Sequence, residues 1–478
     1  MTNIYEDFTK RDFTSNYERL LDLLTQEVPE LSDRNHSDAG IALIRLLARQ
    51  TDMLSFYIDE VFMEGFVRTA KFRQSLIDLG TLVDCRPKLS APAMTTMRIT
   101  RTNTHEDALS QEIVIPAYHQ FYRVDGLQYI TLDECTIPPH QMSIDVDVIQ
   151  AERHQLSVTD HDFEHFAFYR RMTYNLGQGV ISGMTTLYDV DSEWYWTEVD
   201  SFFRSQATDT HFMLELYADL YDGVPDTVFL VLGDGVFGSD KPPRSSEIVY
   251  FTTSGADGNC GAGVIDSAYQ SAPLGISVIN TIPATGGAGP ESTERFRARL
   301  PLVVQTQRRG FTESDYEALI NSIPGVLCCN AVSRSSDVSW PYMYIFLYVL
   351  PEGGGNLHPT LKNNIIRQCK RWGHFGDWDD RYVVLDAIPR VIDVKINVGK
   401  KFGFQTPVVE SGIRTSLQQF FAPESALLGR VLSFDDLYKA VSSVAGVDWV
   451  QFLSPTTSLS AEPGETFVLG SLDIAFRS

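Results

Sequence analysis

Residues 232–238 read Leu-Gly-Asp-Gly-Val-Phe-Gly and separate two apolar runs near the middle of the chain. As a bare pattern, Gly-x-Gly-x-x-Gly after a strand suggests a dinucleotide site, but that chemistry needs a helix whose N-terminus faces the pyrophosphate. The next residues lead into Pro242 and Pro243, which keep the backbone extended and prevent a helix from beginning directly. We therefore predict tight β turns whose glycines supply positive φ, and no cofactor.

The turn prediction extends to the end of the following strand, where residues 254–259 read Ser-Gly-Ala-Asp-Gly-Asn. Glycine, aspartate and asparagine favour turns because they tolerate left-handed backbone or bond to their own chain. The residues that we predict to shape these turns are Gly233, Asp234, Gly235, Gly238, Gly258 and Asn259.

The composition indicates a soluble, globular chain whose partners are proteins. Its 478 residues are 43% hydrophobic and 21% charged, enough to bury several cores in about two to four domains. No stretch approaches the ~18 consecutive apolar residues of a membrane span, and the first residues lack the pattern of a signal peptide. We therefore expect no membrane insertion. The net charge of −23 opposes phosphate binding, so we also expect no nucleic acid partner.

The six cysteines form no C-x-x-C pair. They therefore fit neither a zinc cage nor a disulfide framework, and a chain of this size does not need covalent staples. We predict reduced, mostly buried thiols.

A long amphipathic helix is predicted near the N-terminus. Ser37 or Asp38 can cap its start, and residues 41–66 contain no proline, which makes the helix long beside the ~12-residue average. Apolar residues recur with 3-4 spacing, as in a helix that packs in a near-parallel bundle. The residues of this seam, which we predict to be a subunit interface, are Ile44, Leu47, Thr51, Leu54, Ile58 and Val61.

A second apolar row widens the stripe of this helix beyond what one partner would cover. A shorter amphipathic helix, predicted over residues 16–31 and broken by Pro29, precedes it along the chain. Two arrangements remain open: helices of other chains cover this stripe, or the helix forms an internal bundle made only with residues 71–82. Composition favours neither arrangement. The second row consists of Leu43, Leu46, Met53, Tyr57 and Phe62.

Residues 91–290 consist of short alternating runs broken by turn residues, which indicates an antiparallel β domain. Two motifs inside it leave an enzyme open as the alternative. His161, Glu164 and His165 match the inverted zincin pattern H-x-x-E-H, although the flanks suggest a polar turn and no third ligand is evident. Trp194 and Trp196 alternate along one run, where they either pack a sheet face or form a carbohydrate platform.

The C-terminal third contains an internal repeat. The stretch 310–326 reappears 121 positions later, where residues 433–447 correspond to residues 312–326; each copy has a capping pair, an apolar stripe and a closing glycine. Each predicted helix leads into a strand, so the segment should form two related α+β units whose sheets expose edge strands to another subunit. We expect residues from about 300 to 478 to fold separately and self-associate. A basic island could meet an acidic face on a neighbour or be solvated; it comprises Arg295, Arg297, Arg299, Arg308 and Arg309.

These motifs together resemble the baseplate J-like family, the wedge subunits of contractile phage tails and related injection machines. The resemblance covers an N-terminal block, the central glycine signature, a Gly-Gly joint before a helix, and the C-terminal repeats. The matching residues are Asp38, Gly40, Leu46, Leu47, Ala48, Asp52, Leu54, Tyr57, Glu64, Thr69, Ala70, Arg73, Asp125, Gly126, Gly233, Asp234, Gly235, Gly238, Pro242, Pro243, Gly255, Gly258, Asn259, Gly286, Gly287, Glu291, Ser292, Arg295, Arg299 and Pro301.

The resemblance implies a structural role and no enzymatic activity. In that family two copies of the chain typically join one partner baseplate wedge protein, and six such wedges close around the tail tube and hold the sheath until firing. It also implies contacts with sheath-initiator and central hub or tube proteins, in a virion tail baseplate assembled in the host bacterial cytoplasm. The alternative is a zinc metallopeptidase or a carbohydrate-binding hydrolase of the tail.

The predicted fold class is α+β. We predict a helical core-bundle segment over residues 1–90 and a β-rich middle domain over residues 91–290. Two related α+β units follow, over residues 291–390 and 391–478.

Overall fold

The structure is a computed structural model that describes residues 12–28, 38–102, 109–165, 171–218, 226–268, 275–307, 309–336, 338–422 and 428–477. Within these residues the chain is α+β, as the sequence predicts, with eight α-helices and 22 β-strands. It divides into two compact units. One is formed by residues up to Arg86 together with Ala218, and the other by the remaining residues from Pro87 onward.

Three helices form the first unit: α1 (Phe13–Glu27), α2 (Ala39–Met63) and α3 (Arg73–Thr81). The Asp12 carboxylate accepts the Ser15 amide at 2.9 Å and begins α1. The Asp38 carboxylate accepts the Gly40 amide at 2.6 Å and begins α2. Pro29 and Ser37, the predicted break and the alternative cap, lie outside the described residues.

The second unit begins with the β-rich middle. Its three sheets have the strand orders β15-β3-β4-β6-β1-β16, β7-β14-β10-β11-β12-β13-β9-β8 and β2-β5. Most neighbours are antiparallel, as the alternating sequence pattern predicts, but β11 and β12 are parallel. The strands are β1 (Met94–Arg101), β2 (Ile113–Ile115), β3 (Gln120–Arg123), β4 (Gln128–Thr131), β5 (Cys135–Ile137), β6 (Ser143–Ile149), β7 (Glu152–Thr159), β8 (Glu164–His165), β9 (Met172–Gly177), β10 (Thr186–Asp189), β11 (Trp194–Glu198), β12 (His211–Tyr217), β13 (Thr227–Leu232), β14 (Ser245–Thr252), β15 (Ile265–Ala268) and β16 (Ile276–Asn280).

The C-terminal third contains two three-stranded sheets with separate cores. The first has the order β17-β18-β19 and the second the order β21-β20-β22. The elements are α4 (Thr293–Thr306), α5 (Glu313–Ile320), β17 (Val326–Ser333), β18 (Ile345–Pro351), α6 (Pro359–Trp372), β19 (Tyr382–Asp386), β20 (Ile388–Lys400), α7 (Thr406–Phe420), α8 (Phe434–Ser442), β21 (Val447–Ser454) and β22 (Glu465–Arg477).

The internal repeat corresponds to α5 with β17 and to α8 with β21. Gly325 and Gly446 end the helical segments with φ of +84° and +91°, the left-handed geometry that the sequence suggests. Thr312 forms a complete capping box with Asp315. At α8 the Ser433 hydroxyl accepts the Asp436 amide at 3.4 Å, which is half of such a box.

The predicted basic island is largely neutralised inside the protein. Arg299 lies against Glu291 with nitrogen–oxygen distances of 2.8 and 2.6 Å, and both residues are buried. Arg295 bonds Glu352 at 2.8 Å. Arg297 lies 3.8 Å from the Glu294 carboxylate, and Arg308 lies outside the described residues. Arg299 is therefore buried and not available to an acidic neighbour, whereas Arg295 is paired with Glu352 but remains partly exposed.

Candidate functional site

The long helix α2 buries only one narrow row of side chains. Ile41, Ala48, Ser55, Asp59 and Met63 are at most 7% exposed, and they recur at intervals of four and seven residues along one side. Helix α1 packs against α2. Residues spaced in this way share a face in an α-helix, so packing within the unit accounts for one face of α2.

The predicted interface seam lies outside this buried row. Leu47, Leu54, Ile58 and Val61 are 58%, 53%, 59% and 74% exposed. Ile44 and Thr51 are partly buried, and the Thr51 hydroxyl donates to the Leu47 carbonyl at 2.8 Å. Apolar side chains of this size normally lie in a core, so the exposure of these four is unusual for a single chain.

The second apolar row of α2 is exposed as well. At 100° per residue, these side chains and the seam together span about half of the helix circumference. Helix α3 does not cover this surface. The turn before α3 is bonded to the end of α2, because the Glu64 carboxylate accepts the backbone amides of Lys71 and Phe72. We call the two rows together the apolar face of α2; the exposed members of the second row are Leu43, Leu46, Met53, Tyr57 and Phe62.

The glycine-rich stretch forms a turn held by Asp234. Its carboxylate accepts the amides of Val236 and Phe237 at 3.0 and 2.7 Å and lies 3.6 Å from Arg171. Partial burial opposes ionisation, but these hydrogen bonds and the Arg171 guanidinium hold the pKa of Asp234 below its ordinary value. The carboxylate therefore acts as a structural acceptor inside the turn.

The glycines of this stretch have two different roles. Gly235 and Gly238 have φ of +79° and +83°, as predicted for such turns. Gly233 does not have positive φ; a Cβ there would lie 2.2 Å from the backbone of Gly238, so close approach of two chain segments requires the glycine. Gly258 is likewise confined by contacts, and its carbonyl accepts the Tyr129 hydroxyl at 2.6 Å.

Asn259 joins its turn to the glycine joint before α4. Its side-chain amide donates to the Gly287 carbonyl at 2.8 Å, and its oxygen accepts the Gly287 amide at 2.9 Å. The chain continues from Gly238 through an extended segment into β14, so no helix begins in the described residues that directly follow these glycines. The turn residues thus connect backbone segments, and they do not form the phosphate cradle of a dinucleotide site.

The zincin-like motif behind the enzymatic alternative does not lie on an α-helix. His161 lies in a short 3-10 turn, whereas Glu164 and His165 form the exposed strand β8, so the two histidines are not one helical turn apart. No group of three potential metal ligands occurs among the residues that the structure describes. Trp196 is buried in the sheet, whereas Trp194 is 63% exposed.

The cysteines are free thiols, and four of the six are buried, among them Cys369. Burial raises the pKa of the Cys369 thiol to about 12. Among the described helices, none is long and apolar enough to cross a membrane.

Comparison with known proteins identifies relatives among baseplate proteins. Residues 12–82, which include α1, α2 and α3, match the family of the N-terminal domain of bacteriophage baseplate proteins. The chain is 25% identical over 371 residues, or 69% of its length, to the baseplate wedge protein gp6 of Enterobacteria phage T4. It spans about half, 52%, of the length of that relative.

A solved structure of an injection system also resembles the chain. The match is to a chain in the cryo-EM structure of the anti-feeding prophage (AFP) baseplate, 6-fold symmetrised, at 13% identity. It covers 95% of this chain and 90% of that chain, but the TM-score of 0.34 is too low to support an inference about the fold. The family match and the sequence similarity relate the chain to baseplate proteins, and they do not confirm the specific resemblance to the baseplate J-like family.

Proposed function

We propose that this protein is a structural wedge subunit of a contractile-tail baseplate, related to the baseplate J-like family. It assembles with other copies of itself and with a partner wedge protein through the apolar face of α2. The observation that carries this proposal is the exposed apolar face within the segment that matches the N-terminal domain of baseplate proteins. The similarity to the T4 wedge protein supports the same role.

The energetics favour a helical partner at this face. Each exposed seam side chain has more than half of its surface in water, and covering it recovers about 1–2 kcal/mol by transfer free energies. Four such side chains, with the second row beside them, can offset part of the ~4–15 kcal/mol cost of association. Helices from other chains, packed near-parallel along the seam, would bury this surface continuously.

The wider assembly follows from the proposed role. The wedges would form a ring around the tail tube and hold the contractile sheath until triggering. The same ring would contact sheath-initiator and central hub or tube proteins, and assembly would take place in the host bacterial cytoplasm. The relatives are structural baseplate proteins, and this supports a role without catalysis.

The test is a charge placed in the centre of the apolar face. Leu54→Asp should abolish co-purification with the partner wedge protein, because assembly would bury an unpaired carboxylate at a cost of several kcal/mol. The matched control is Arg45→Asp, which introduces the same side chain nine positions earlier, about 180° around the helix. Circular dichroism of the free proteins should be unchanged, because both positions are exposed.

Two outcomes would contradict the proposal. Normal complex formation by Leu54→Asp would show that α2 is not the assembly surface. Equal loss of assembly in Leu54→Asp and Arg45→Asp would show that added negative charge, and not the apolar face, causes the defect.

A further inference from the structure

The hairpin of β10 and β11 exposes large aromatic side chains. Trp194 and Tyr195 are 63% and 61% exposed, and Val190 in the turn between the strands is 47% exposed. Aromatic side chains bury large areas in cores and interfaces, so this degree of exposure is unusual for a single chain. We call residues 188–195 the hairpin tip.

The two tyrosines of the hairpin tip lie on the same face of the sheet. Tyr188 and Tyr195 are directly opposite each other in the ladder, and their ring centroids are 4.7 Å apart. On its other side Tyr188 is opposite Glu247 of β14, so a carboxylate lies next to the ring pair on this face. The Glu247 carboxylate accepts the side-chain amide of Gln155 on the next strand, β7.

The other face of the hairpin also pairs a ring with a carboxylate. Trp194 is opposite Asp189 in the ladder. One oxygen of Asp189 accepts the backbone amides of Asp191 and Ser192 at 3.0 and 3.3 Å, which holds this carboxylate beside the turn. Each face of the hairpin tip thus presents an aromatic ring beside a carboxylate of the neighbouring strand.

The hairpin tip is acidic and lacks internal neutralisation. Residues 172–203 contain five acidic residues and no lysine, arginine or histidine. In the parts of the chain that the structure describes, no basic side chain forms an ion pair with Asp189, Asp191 or Glu193. The negative charge of the tip is therefore available to a cation from outside the chain.

One basic residue, Arg244, borders the turn. It precedes Ser245, whose carbonyl accepts the Val190 amide at 3.0 Å. The Arg244 carbonyl in turn accepts the Asp160 amide at 3.3 Å, so a further acidic residue lies at the same end of the sheet. The acidic residues of this region thus outnumber the arginine.

An aromatic ring beside a carboxylate suits a cationic side chain. A lysine ammonium or an arginine guanidinium is attracted to the face of an aromatic ring within about 6 Å. The neighbouring carboxylate can accept a charge-assisted hydrogen bond from the same group, and a guanidinium also stacks flat on a ring. A carbohydrate would not use the excess negative charge, and Trp196 is buried, so Trp194 and Trp196 do not form one platform.

We propose that the hairpin tip binds a lysine- and arginine-rich segment of another protein. Charge complementarity decides between the occupants. A second copy of this chain would bring a further acidic surface, and nucleic acid or an anionic membrane would be repelled. The site uses different residues from the apolar face of α2, and it does not depend on the proposed baseplate role.

The experiment measures binding of a basic peptide to the full chain. The probe is a short fluorescein-labelled peptide in which lysine and arginine alternate with serine, and binding is followed by fluorescence anisotropy. The control peptide has glutamine in place of every lysine and arginine. The basic peptide should bind at low ionic strength and bind more weakly as salt is added, whereas the glutamine peptide should not bind.

Matched double variants locate the site, because a chain with a net charge of −23 attracts a cationic peptide over its whole surface. Trp194→Ser with Tyr195→Ser should weaken binding roughly tenfold, since it removes both exposed rings without changing the charge. The control, Trp378→Ser with Tyr342→Ser, removes the same two residue types, which are 56% and 73% exposed in the C-terminal third. It should bind the peptide as the wild type does.

A gain of affinity provides a result that misfolding cannot imitate. Arg244→Gln removes the cation that borders the turn and should strengthen binding about twofold. Circular dichroism should show the same fold in every variant, because all of the substituted residues are exposed.

The proposal is overturned if the basic peptide does not bind at low salt, if the two double variants behave alike, or if the glutamine peptide binds equally well. A response of tryptophan fluorescence to an oligosaccharide and not to the basic peptide would also overturn it, in favour of a carbohydrate platform. None of these substitutions lies in α2, so a negative result leaves the proposed baseplate role to its own test.

Discussion

Replacing Lys88 by methionine should stabilise the protein at pH 7, because Lys88 adds an excess positive charge to a cluster that is otherwise balanced. The cluster contains two close ion pairs, Arg299 with Glu291 and Arg295 with Glu352. The ammonium of Lys88 is the unmatched fifth charge, and it is only partly compensated by the Val326 carbonyl. Burial is the main reason that the pKa of Lys88 falls from 10.5 to about 8. The carboxylates of Glu291 and Glu352 raise this pKa, whereas the positive charges of Arg299 and Arg295 lower it.

The size of the effect follows from this pKa. A fall of this size corresponds to at most about 3 kcal/mol of unfavourable free energy in the charged folded state. The lost hydrogen bond to Val326 removes about 1 kcal/mol of stabilisation, so we expect Lys88→Met to raise the free energy of unfolding by about 1–2 kcal/mol. Glu291→Gln should have the opposite effect and cost about 3–5 kcal/mol, because it leaves a buried guanidinium without its carboxylate.

The pH dependence gives a sharper test. Below pH 8, Lys88 is protonated in both the folded and the unfolded chain, and the folded state carries the full penalty. Between pH 8 and 10.5, only the unfolded chain keeps the proton, so the stability of the wild type rises with pH relative to the variant. The stability advantage of Lys88→Met should therefore shrink between pH 7 and pH 10.

Urea unfolding followed by tryptophan fluorescence at pH 7, 8.5 and 10 measures this difference. The control is Lys401→Met, which removes an exposed lysine and should leave the unfolding midpoint unchanged at each pH. If Lys88→Met unfolds at a lower urea concentration, with a difference that does not vary with pH, the reasoning about the excess charge is refuted.

Two further predictions concern the backbone turns and a buried histidine. Gly235→Ala should lower the melting temperature, because alanine at φ +79° is strained by roughly 1 kcal/mol or more. The control is Gly261→Ala, because φ there is not positive and the nearest atom would lie 3.9 Å from the added Cβ. This variant should melt at the same temperature as the wild type in the same thermal scan. His358 caps α6 by accepting the Thr360 amide through Nδ1 at 3.3 Å, and burial, opposed by Asp147, lowers its pKa. As pH falls below about 6.5, the unfolded chain therefore binds a proton on this histidine before the folded chain does. Urea unfolding should show that the wild type loses stability between pH 7 and 5 relative to His358→Asn. Equal pH dependence of the two proteins would contradict this prediction.

Local sequence signals predicted the elements of the fold well. The helices α5 and α8 follow from capping pairs and closing glycines that lie within one short segment, so no distant contact is needed to foresee them. The apolar rows of α2 are equally local, because 3-4 spacing is read directly from the sequence. The exposure of those rows required the structure, since sequence alone left an internal bundle as an equal alternative.

Long-range contacts account for what the sequence did not reveal. The sequence places Arg295 in a surface island because its partner, Glu352, lies 57 residues away in the chain. The requirement for glycine at position 233 comes from the close approach of Gly238, and not from its own φ. Nothing in the local pattern distinguishes these causes from a simple surface charge or a simple turn.

The two repeats differ in the side chains that their first helices turn towards the neighbouring strand, without a change of fold. Glu313 and Glu317 lie on the same helical face as Phe434 and Tyr438 do in the second copy, one turn apart. Carboxylates at these positions bond the neighbouring strand and close its edge, whereas aromatic rings strengthen the core and leave the backbone groups open. For a chain with a net charge of −23, contacts between copies must work against electrostatic repulsion, so apolar surfaces and backbone hydrogen bonds are better suited to assembly than ion pairs. The apolar face of α2 meets that condition.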